Sequence, residues 1–156
     1  MKWKTGQAEI AALISDGKME VVLPDLRVAQ QLLEDARHHL ASATTIRQTD
    51  LTGSYQLAYD ALRKSVAAIL QVQGLRPTSH GGHIAVQCAI RAQFPSVEEF
   101  KPFNRIRQVR HSYEYLDSAT EGPTVDDVDD VITSATAALN WSTKLLASGE
   151  LSPWSP

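Results

Sequence analysis

Apolar residues recur along most of this 156-residue chain at the spacings of three and four that mark a helix with one buried face. The pattern is clearest after Pro24, where the apolar positions are Leu26, Ala29, Leu33, Ala36, Leu40 and Ala43. It returns within residues 54–73, at Tyr55, Ala58, Leu62, Val66 and Ile69. A further stripe follows Thr124, at Val125, Val128, Ile132, Ala135, Leu139 and Leu146. These stripes predict three long helices that bury their apolar faces against one another.

Shorter helices are predicted around these segments, over residues 5–16, 83–94 and 103–116. Thr5 and Thr124 are residue types that cap helix N-termini, and the acids that follow Thr124 suit the positive end of a helix dipole. Ser96 with Glu99 three residues later is a capping-box pattern. It predicts one more helix start, which Pro102 then interrupts.

No segment of useful length has the two-residue period of a strand, and residues 19–23 are predicted only as a short extended connector. We therefore predict an all-α fold, an antiparallel up-and-down helical bundle of four to five main helices plus a short N-terminal helix. The expected organisation is an N-terminal helix and connector over residues 1–23, the helical bundle over residues 24–149 and a flexible tail over residues 150–156.

Composition narrows the functional classes. A net charge of −3 argues against broad electrostatic capture of nucleic acid, so any contact with RNA or DNA must use a local basic patch. The single cysteine, Cys88, cannot form an internal disulfide or a thiolate metal cluster. His38 and His39 lack the spacing of a metal pair, so neither a metal site nor a cofactor is predicted. No apolar run approaches a membrane span, and the expected compartment is the cytoplasm.

The most informative stretch is residues 101–115, which read KPFNRIRQVRHSYEY. No acid lies between Glu99 and Glu114, so this predicted helix is locally basic. Its candidate functional residues are Lys101, Arg105, Arg107, Arg110, His111, Tyr113 and Tyr115. Arginines bind phosphate and a histidine exchanges protons near neutral pH, so the helix suits a phosphate-bearing partner. Alternatively, its arginines only cover a core stripe, made of Phe103, Ile106, Val109 and Tyr113.

A second candidate is the loop that holds His80 and His83 around Gly81 and Gly82. Glycines allow a ligand to approach the backbone closely, and a helix that begins at His83 would offer free N–H groups to an anion. A flexible turn explains the same glycines equally well. The acids after Thr124 are interpreted as a solvated, capped helix face, made of Asp126, Asp127, Asp129 and Asp130.

Three stretches together resemble a known family: SYQLAYDALRKSVAAIL, the following loop GLRPTSHGGH, and NRIRQVRHSYEY. On these residues, and over most of residues 26–145, the chain resembles the HEPN superfamily (higher eukaryote and prokaryote nucleotide-binding domains). The resemblance implies a four- to five-helix up-and-down bundle that is often dimeric. Many members are toxins or defence proteins that cleave RNA without metal, and others are partners of a minimal nucleotidyltransferase.

Two frames relate the signature helix to the family's ribonuclease motif, in which an arginine, often followed by a polar residue, precedes a histidine. In the first frame Arg110 and His111 begin the motif, and Tyr115 occupies the position of the closing histidine. In the second, Arg105 pairs with His111 and a His-x-Tyr ending follows at Tyr113. The first frame agrees better with the Glu-Tyr ending of members that lack the nuclease histidine, and we favour it. Only the second frame, Arg105 with His111, supports catalysis.

The resemblance yields two competing functions. The first is an RNA- or nucleotide-binding protein of a toxin–antitoxin or defence system, which would act as a metal-independent endoribonuclease if it is an enzyme. In that role Arg105, Arg107 and Arg110 would hold phosphates, His111 would transfer protons, and Tyr113 or Tyr115 would position the substrate. The second is a non-catalytic module that forms a homodimer or binds a nucleotidyltransferase or antitoxin protein. A purely structural helical domain with solvated arginines is the third interpretation.

Overall fold

The computed structural model describes residues 3–115 and 121–156. The elements are, in chain order, α1 Gln7–Ser15, β1 Met19–Val21, α2 Leu26–Ile46, α3 Leu51–Val72, β2 Leu75–Pro77, α4 Gly82–Gln93, a 3₁₀ turn Glu98–Phe100, α5 Phe103–Glu114 and α6 Val125–Ser148. This is an all-α helical bundle with one small sheet, so the predicted fold class is confirmed. In the described residues no helix is both long and apolar enough to cross a membrane.

The central helix α3 packs against both α2 and α6 and is buried on most of its circumference. Small residues on α3 allow these neighbours to approach closely, and they are Ser54, Ala58, Ala61, Ser65 and Ala68. Larger apolar side chains such as Leu62, Val66 and Ile69 fill the layers between them. The predicted stripes of α2, α3 and α6 therefore form one core, while Leu26 at the start of α2 remains exposed.

Helix starts follow side-chain capping where an acceptor stands at the right place. Asp25 and Asp50 accept hydrogen bonds from backbone N–H groups in the first turns of α2 and α3. Thr124 and Asp127 form a reciprocal capping box at the start of α6, which confirms the predicted cap at Thr124.

The predicted caps at Thr5 and Ser96 are wrong. The first helix begins after Gly6, which has a φ of 74° and lies so close to α4 that an added Cβ would be 2.6 Å from the backbone of Ala92. Packing against α4 therefore sets this helix start. After Ser96 the chain forms only the 3₁₀ turn, which begins after Val97 without a side-chain cap. Pro102 has no N–H to continue an α-helix and separates the turn from α5.

The segments outside the long helices are fixed to the same core. The connector forms β1, which pairs antiparallel with β2 so that Val21 lies opposite Leu75. At the C-terminus the backbone N–H of Trp154 donates to the carbonyl of Gln73 over 2.8 Å, and the Trp154 ring packs against the core. The structure thus differs from the expected flexible tail over residues 150–156. The reason is the bulky indole, which gains apolar burial by docking.

Candidate functional site

The basic helix α5 buries one narrow face and leaves its charged side chains on the others. Phe103 and Ile106 are fully buried, and Val109 and Tyr113 pack half-buried beside the core. This confirms the predicted core stripe. The basic side chains outside it are those of Arg105, Arg107, Arg110 and His111. The surroundings of these four side chains differ greatly.

Arg107 is held across the gap between α5 and α4 by neutral groups. Its Nε donates to Oε1 of Gln87 over 3.1 Å, and its Nη2 donates to Oδ1 of Asn104 over 3.2 Å. The side chain is half-buried, and within the described residues no carboxylate lies within ion-pair distance of it. Its position is therefore fixed while its charge is left uncompensated by a neighbouring acid, which favours an incoming anion.

Arg110 contacts a carboxylate, an amide and an aromatic ring. Its guanidinium forms an ion pair with Glu114 at 2.7 Å, as the i, i+4 spacing predicts, and its Nε donates to Oε1 of Gln56 over 3.2 Å. The guanidinium carbon also lies 5.3 Å from the centre of the Tyr59 ring, within cation–π distance. The arginine of the first frame is therefore a well-positioned group that already has a carboxylate partner.

Tyr59 and His83 form the neutral centre of this surface. The Tyr59 hydroxyl lies 2.7 Å from Nδ1 of His83. Burial raises the pKa of Tyr59 to about 12 even though nearby arginines oppose the rise, so the hydroxyl keeps its proton at neutral pH. A buried hydroxyl that did not donate would lose a hydrogen bond, so Tyr59 donates to Nδ1. The remaining imidazole proton then lies on Nε2, which makes His83 a donor to any bound anion.

Three arginines converge on this pair from two helices. Arg63 of α3 and both Arg107 and Arg110 of α5 act electrostatically on the Tyr59 hydroxyl. We call this set the arginine cluster, and it consists of Arg63, Arg107, Arg110, Tyr59 and His83. Of these residues, Arg107, Arg110 and His83 are predicted from the sequence, whereas Tyr59 and Arg63 are not. The signal that could have found these two is their i, i+4 spacing on one face of α3.

Asp60 anchors the side of the cluster that faces α2. Burial would raise its pKa, but Arg63 and Lys64 hold the pKa of this carboxyl below its ordinary value. Arg63 donates to Oδ1 of Asp60 over 2.6 Å, and Lys64 lies 3.1 Å from Oδ2. Nδ1 of His39 lies 2.9 Å from the same Oδ2. Asp60 therefore orients the Arg63 side chain and compensates part of its positive charge.

His38 and His39 point to different carboxylates. His38 is exposed and lies 3.4 Å from Glu34, whereas His39 contacts Asp60. In residues 3–115 and 121–156, no group of three or more potential ligands is placed to hold a metal ion.

Arg105 faces a different neighbour, the start of α6. With Tyr55, Tyr113 and Asp127 it lines a small groove of about 110 Å³ between α5 and α6. The Tyr113 hydroxyl lies 3.4 Å from the Asp127 carboxylate, and burial together with that charge raises the pKa of Tyr113. The rings of Tyr55 and Tyr113 also pack edge to face, with centroids 5.1 Å apart. Tyr113 is thus part of the α5–α6 contact, and Arg105 extends outwards from its edge.

His111, Tyr115 and His80 are exposed. The His111 ring packs on Tyr115, with centroids 4.6 Å apart, just beyond the end of α5. His80 lies in the turn before α4, whereas His83 lies within that helix. Gly81 in this turn has a steric role, because an added Cβ would lie 2.0 Å from the carbonyl oxygen of Lys18.

Neither motif frame is assembled into one site within a single chain. Six residues of α-helix advance by roughly 600°, so Arg105 and His111 point about 120° apart. The first frame places Tyr115, two-thirds exposed, where the closing histidine would stand. What the fold does bring together is Arg107 and Arg110 with Arg63 and His83, a set from three helices.

We expect His83 to titrate below its ordinary pKa of 6.5, because burial, Arg63 and Arg110 oppose its protonated form and outweigh Asp60 and Glu114. Below that pH the unfolded chain binds the proton before the folded chain does, so acidification through this range destabilises the fold. A His83→Gln variant should therefore lose less stability than the wild type between about pH 7.5 and pH 5.5 in urea denaturation. An NMR titration of the His83 ring with a midpoint at or above 6.5 would contradict this.

No family model, curated protein or solved structure matches this chain. Its function must therefore be inferred from the residues and their geometry.

Proposed function

We propose that this protein binds RNA or a nucleotide through the arginine cluster, as a HEPN-type protein of a toxin–antitoxin or defence system. The observation that carries the proposal is Arg107, a half-buried guanidinium held in place by Gln87 and Asn104 rather than by a carboxylate. A fixed arginine with free charge is suited to a phosphate group, since the cost of ordering the side chain is already met within the fold.

The surroundings of Arg107 support the same ligand. His83 offers its Nε2 proton as a donor, and Arg63, whose charge is offset only in part by Asp60, adds positive potential on the same surface. The chain as a whole is acidic, so this potential is local. Binding should therefore depend on a few phosphate contacts and weaken with added salt, with a slope of log affinity against log salt of roughly −0.7 for each contact to a single strand.

RNA cleavage is the catalytic extension of the proposal. His111 is exposed and would take the proton of the 2′-hydroxyl that attacks phosphorus, then return it to the 5′-oxygen as the P–O5′ bond breaks and a 2′,3′-cyclic phosphate forms. An arginine would stabilise the charge on the phosphate during this transfer. Within one chain Arg105 points away from His111, so the second frame requires a homodimer in which Arg105 of one copy meets His111 of the other. This arrangement needs no metal.

The binding proposal is tested with Arg107→Gln, which removes the charge and keeps an amide. Fluorescence anisotropy with single-stranded RNA in EDTA should show weaker binding to every sequence tried. The slope of log affinity against log salt should become shallower by roughly 0.7 to 1. Arg76→Gln is the matched control, because Arg76 is an exposed arginine paired with Glu20 on the small sheet. Equal binding by both variants would exclude Arg107 as a phosphate ligand.

The catalytic extension is tested by complementation between inactive variants. RNA cleavage in EDTA should be lost in His111→Ala and in Arg105→Ala. If each site takes one residue from each copy, mixing the two variants should restore roughly a quarter of wild-type activity, because half of the dimers are mixed and each has one intact site. Cleavage that persists in His111→Ala would exclude this role.

The second candidate is the non-catalytic module that docks on a nucleotidyltransferase or antitoxin protein. Two observations favour it. Arg110 is already neutralised by Glu114. In addition, apolar side chains are exposed around the start of α2, where Val21 is 54%, Leu23 88% and Leu26 53% exposed. Absence of RNA degradation, together with a stable complex that Leu23→Glu disrupts, would favour this function over the nuclease.

A further inference from the structure

A cavity of about 330 Å³ lies between α4, the 3₁₀ turn and α5, beside the arginine cluster but distinct from it. Its inner wall is apolar and consists mainly of Ile90, Phe94, Phe100 and Phe103, all buried in the core. The volume is at the lower end of the range for small-molecule sites. Three phenylalanine rings in this wall suit a flat, apolar body.

The polar groups at the mouth of this cavity are hydrogen-bond donors. Gln87 and Asn104 both line it, and the amide oxygen of each is occupied by Arg107. Within residues 3–115 and 121–156 neither amide nitrogen donates to another protein group, so both NH₂ groups are left for a ligand. Helix α5 also begins at this edge without a side-chain cap, which leaves first-turn N–H groups without intrahelical acceptors.

The charge at the mouth is positive. Arg91 and Lys101 line the cavity, and no acidic residue of the described chain does so. Lys101 is paired with Glu98 outside the cavity, but both side chains of that pair are more than half exposed and their interaction is weak. An anionic group at the mouth would therefore meet two cations and several donors, while an apolar body would enter the phenylalanine-lined interior.

We propose that this cavity is a binding site for a small organic anion, with an aromatic body and a terminal phosphate or carboxylate. The aromatic body contacts the phenylalanines, and the anion lies between Lys101, Arg91 and the amide groups. The inference does not depend on RNA binding, because the cavity is separate from the surface of Arg107 that faces solvent.

The test is an NMR titration of the full chain with phenyl phosphate, phenylacetate, benzyl alcohol and inorganic phosphate. Amide signals around Val97 and Phe103 should shift with at least one of the two aromatic anions. That anion should bind about tenfold more tightly than benzyl alcohol and than inorganic phosphate, since neither of these engages both halves of the site. The stronger of the two aromatic anions identifies the terminal group.

Two variants separate the halves of the site. Val97→Trp places an indole in the cavity and should abolish binding of the aromatic anions while leaving RNA binding unchanged. Arg91→Gln combined with Lys101→Gln changes only surface charge, so it should fold normally and weaken anion binding without affecting benzyl alcohol. No saturable shift at millimolar probe in the wild type would overturn the proposal. Equal binding by the wild type and both variants would do the same.

Discussion

Gln73→Met is expected to lower the free energy of unfolding by about 1–3 kcal/mol, because it leaves a buried amide without partners. Gln73 and Gln93 are only 1% and 2% exposed and bond to each other reciprocally, with N–O distances of 2.6 and 3.0 Å. They join the end of α3 to the end of α4. Methionine keeps the length of the side chain, but the Gln93 amide then has neither the N–H group that donates to its oxygen nor the oxygen that accepts from its nitrogen. Urea denaturation measures the loss.

A double-mutant cycle distinguishes the pair from simple packing. Gln93→Met should cost a similar amount, whereas the double variant should be less destabilised than the sum, by roughly 0.5–3 kcal/mol. The reason is that removing both amides leaves no unpaired polar group in the core. Strictly additive losses would show that the two amides do not depend on each other.

Gly81→Ala should destabilise the fold by about 1–3 kcal/mol, through a clash rather than through backbone strain. An added Cβ would lie 2.0 Å from the carbonyl oxygen of Lys18 and 2.8 Å from Cβ of Ala85. A backbone carbonyl cannot rotate away as a side chain can, so the turn must separate from the segment before β1. Thermal or urea unfolding measures the effect.

Two other glycines, the adjacent Gly82 and the more distant Gly122, provide controls for this substitution. Gly82→Ala meets no atom within 4 Å but has a φ of 52°, so it should cost about 1–2 kcal/mol through strain alone. Gly122→Ala meets no atom and has no unusual φ, so its effect should be small. If Gly81→Ala proved as harmless as Gly122→Ala, this turn would not be packed as described, and the glycines would again suit close approach of a ligand.

Part of the candidate site could be predicted because α5 has a strong local signal. Four basic residues without an intervening acid identify a basic helix, and helical periodicity correctly placed Phe103 and Ile106 in the core. Periodicity also separates Arg105 from His111 on the helix surface. It could not show that Arg110 contacts Gln56 of α3 or that Arg107 is held by Gln87 of α4. These partners lie on other helices, and helical periodicity describes only one helix at a time.

The histidines also show which features the local sequence predicts and which depend on contacts between helices. His80 and His83 are predicted together as one candidate loop, and His39 is considered only with His38, as a pair that lacks metal-ligand spacing. In the fold only His83 contacts Tyr59, which fixes its tautomer, and burial together with Arg63 and Arg110 lowers its pKa. His80 stays exposed. The reason is that α4 begins at Gly82. His83 therefore lies in the first turn of the helix, where it contacts Tyr59 of α3, while His80 lies in the turn before it.

The sequence by itself determined the three long helices α2, α3 and α6, because their stripe and cap signals act within a few residues. Asp25, Asp50 and Thr124 begin their helices through local hydrogen bonds, and the apolar stripes decide which faces turn inwards. Only the tertiary structure decided that Arg110 contacts Gln56, that Arg107 is held by the neutral side chain of Gln87, and that the C-terminal Trp154 docks beside Gln73. Those outcomes depend on contacts between residues far apart in the chain, which form only when the helices pack and for which no local pattern exists.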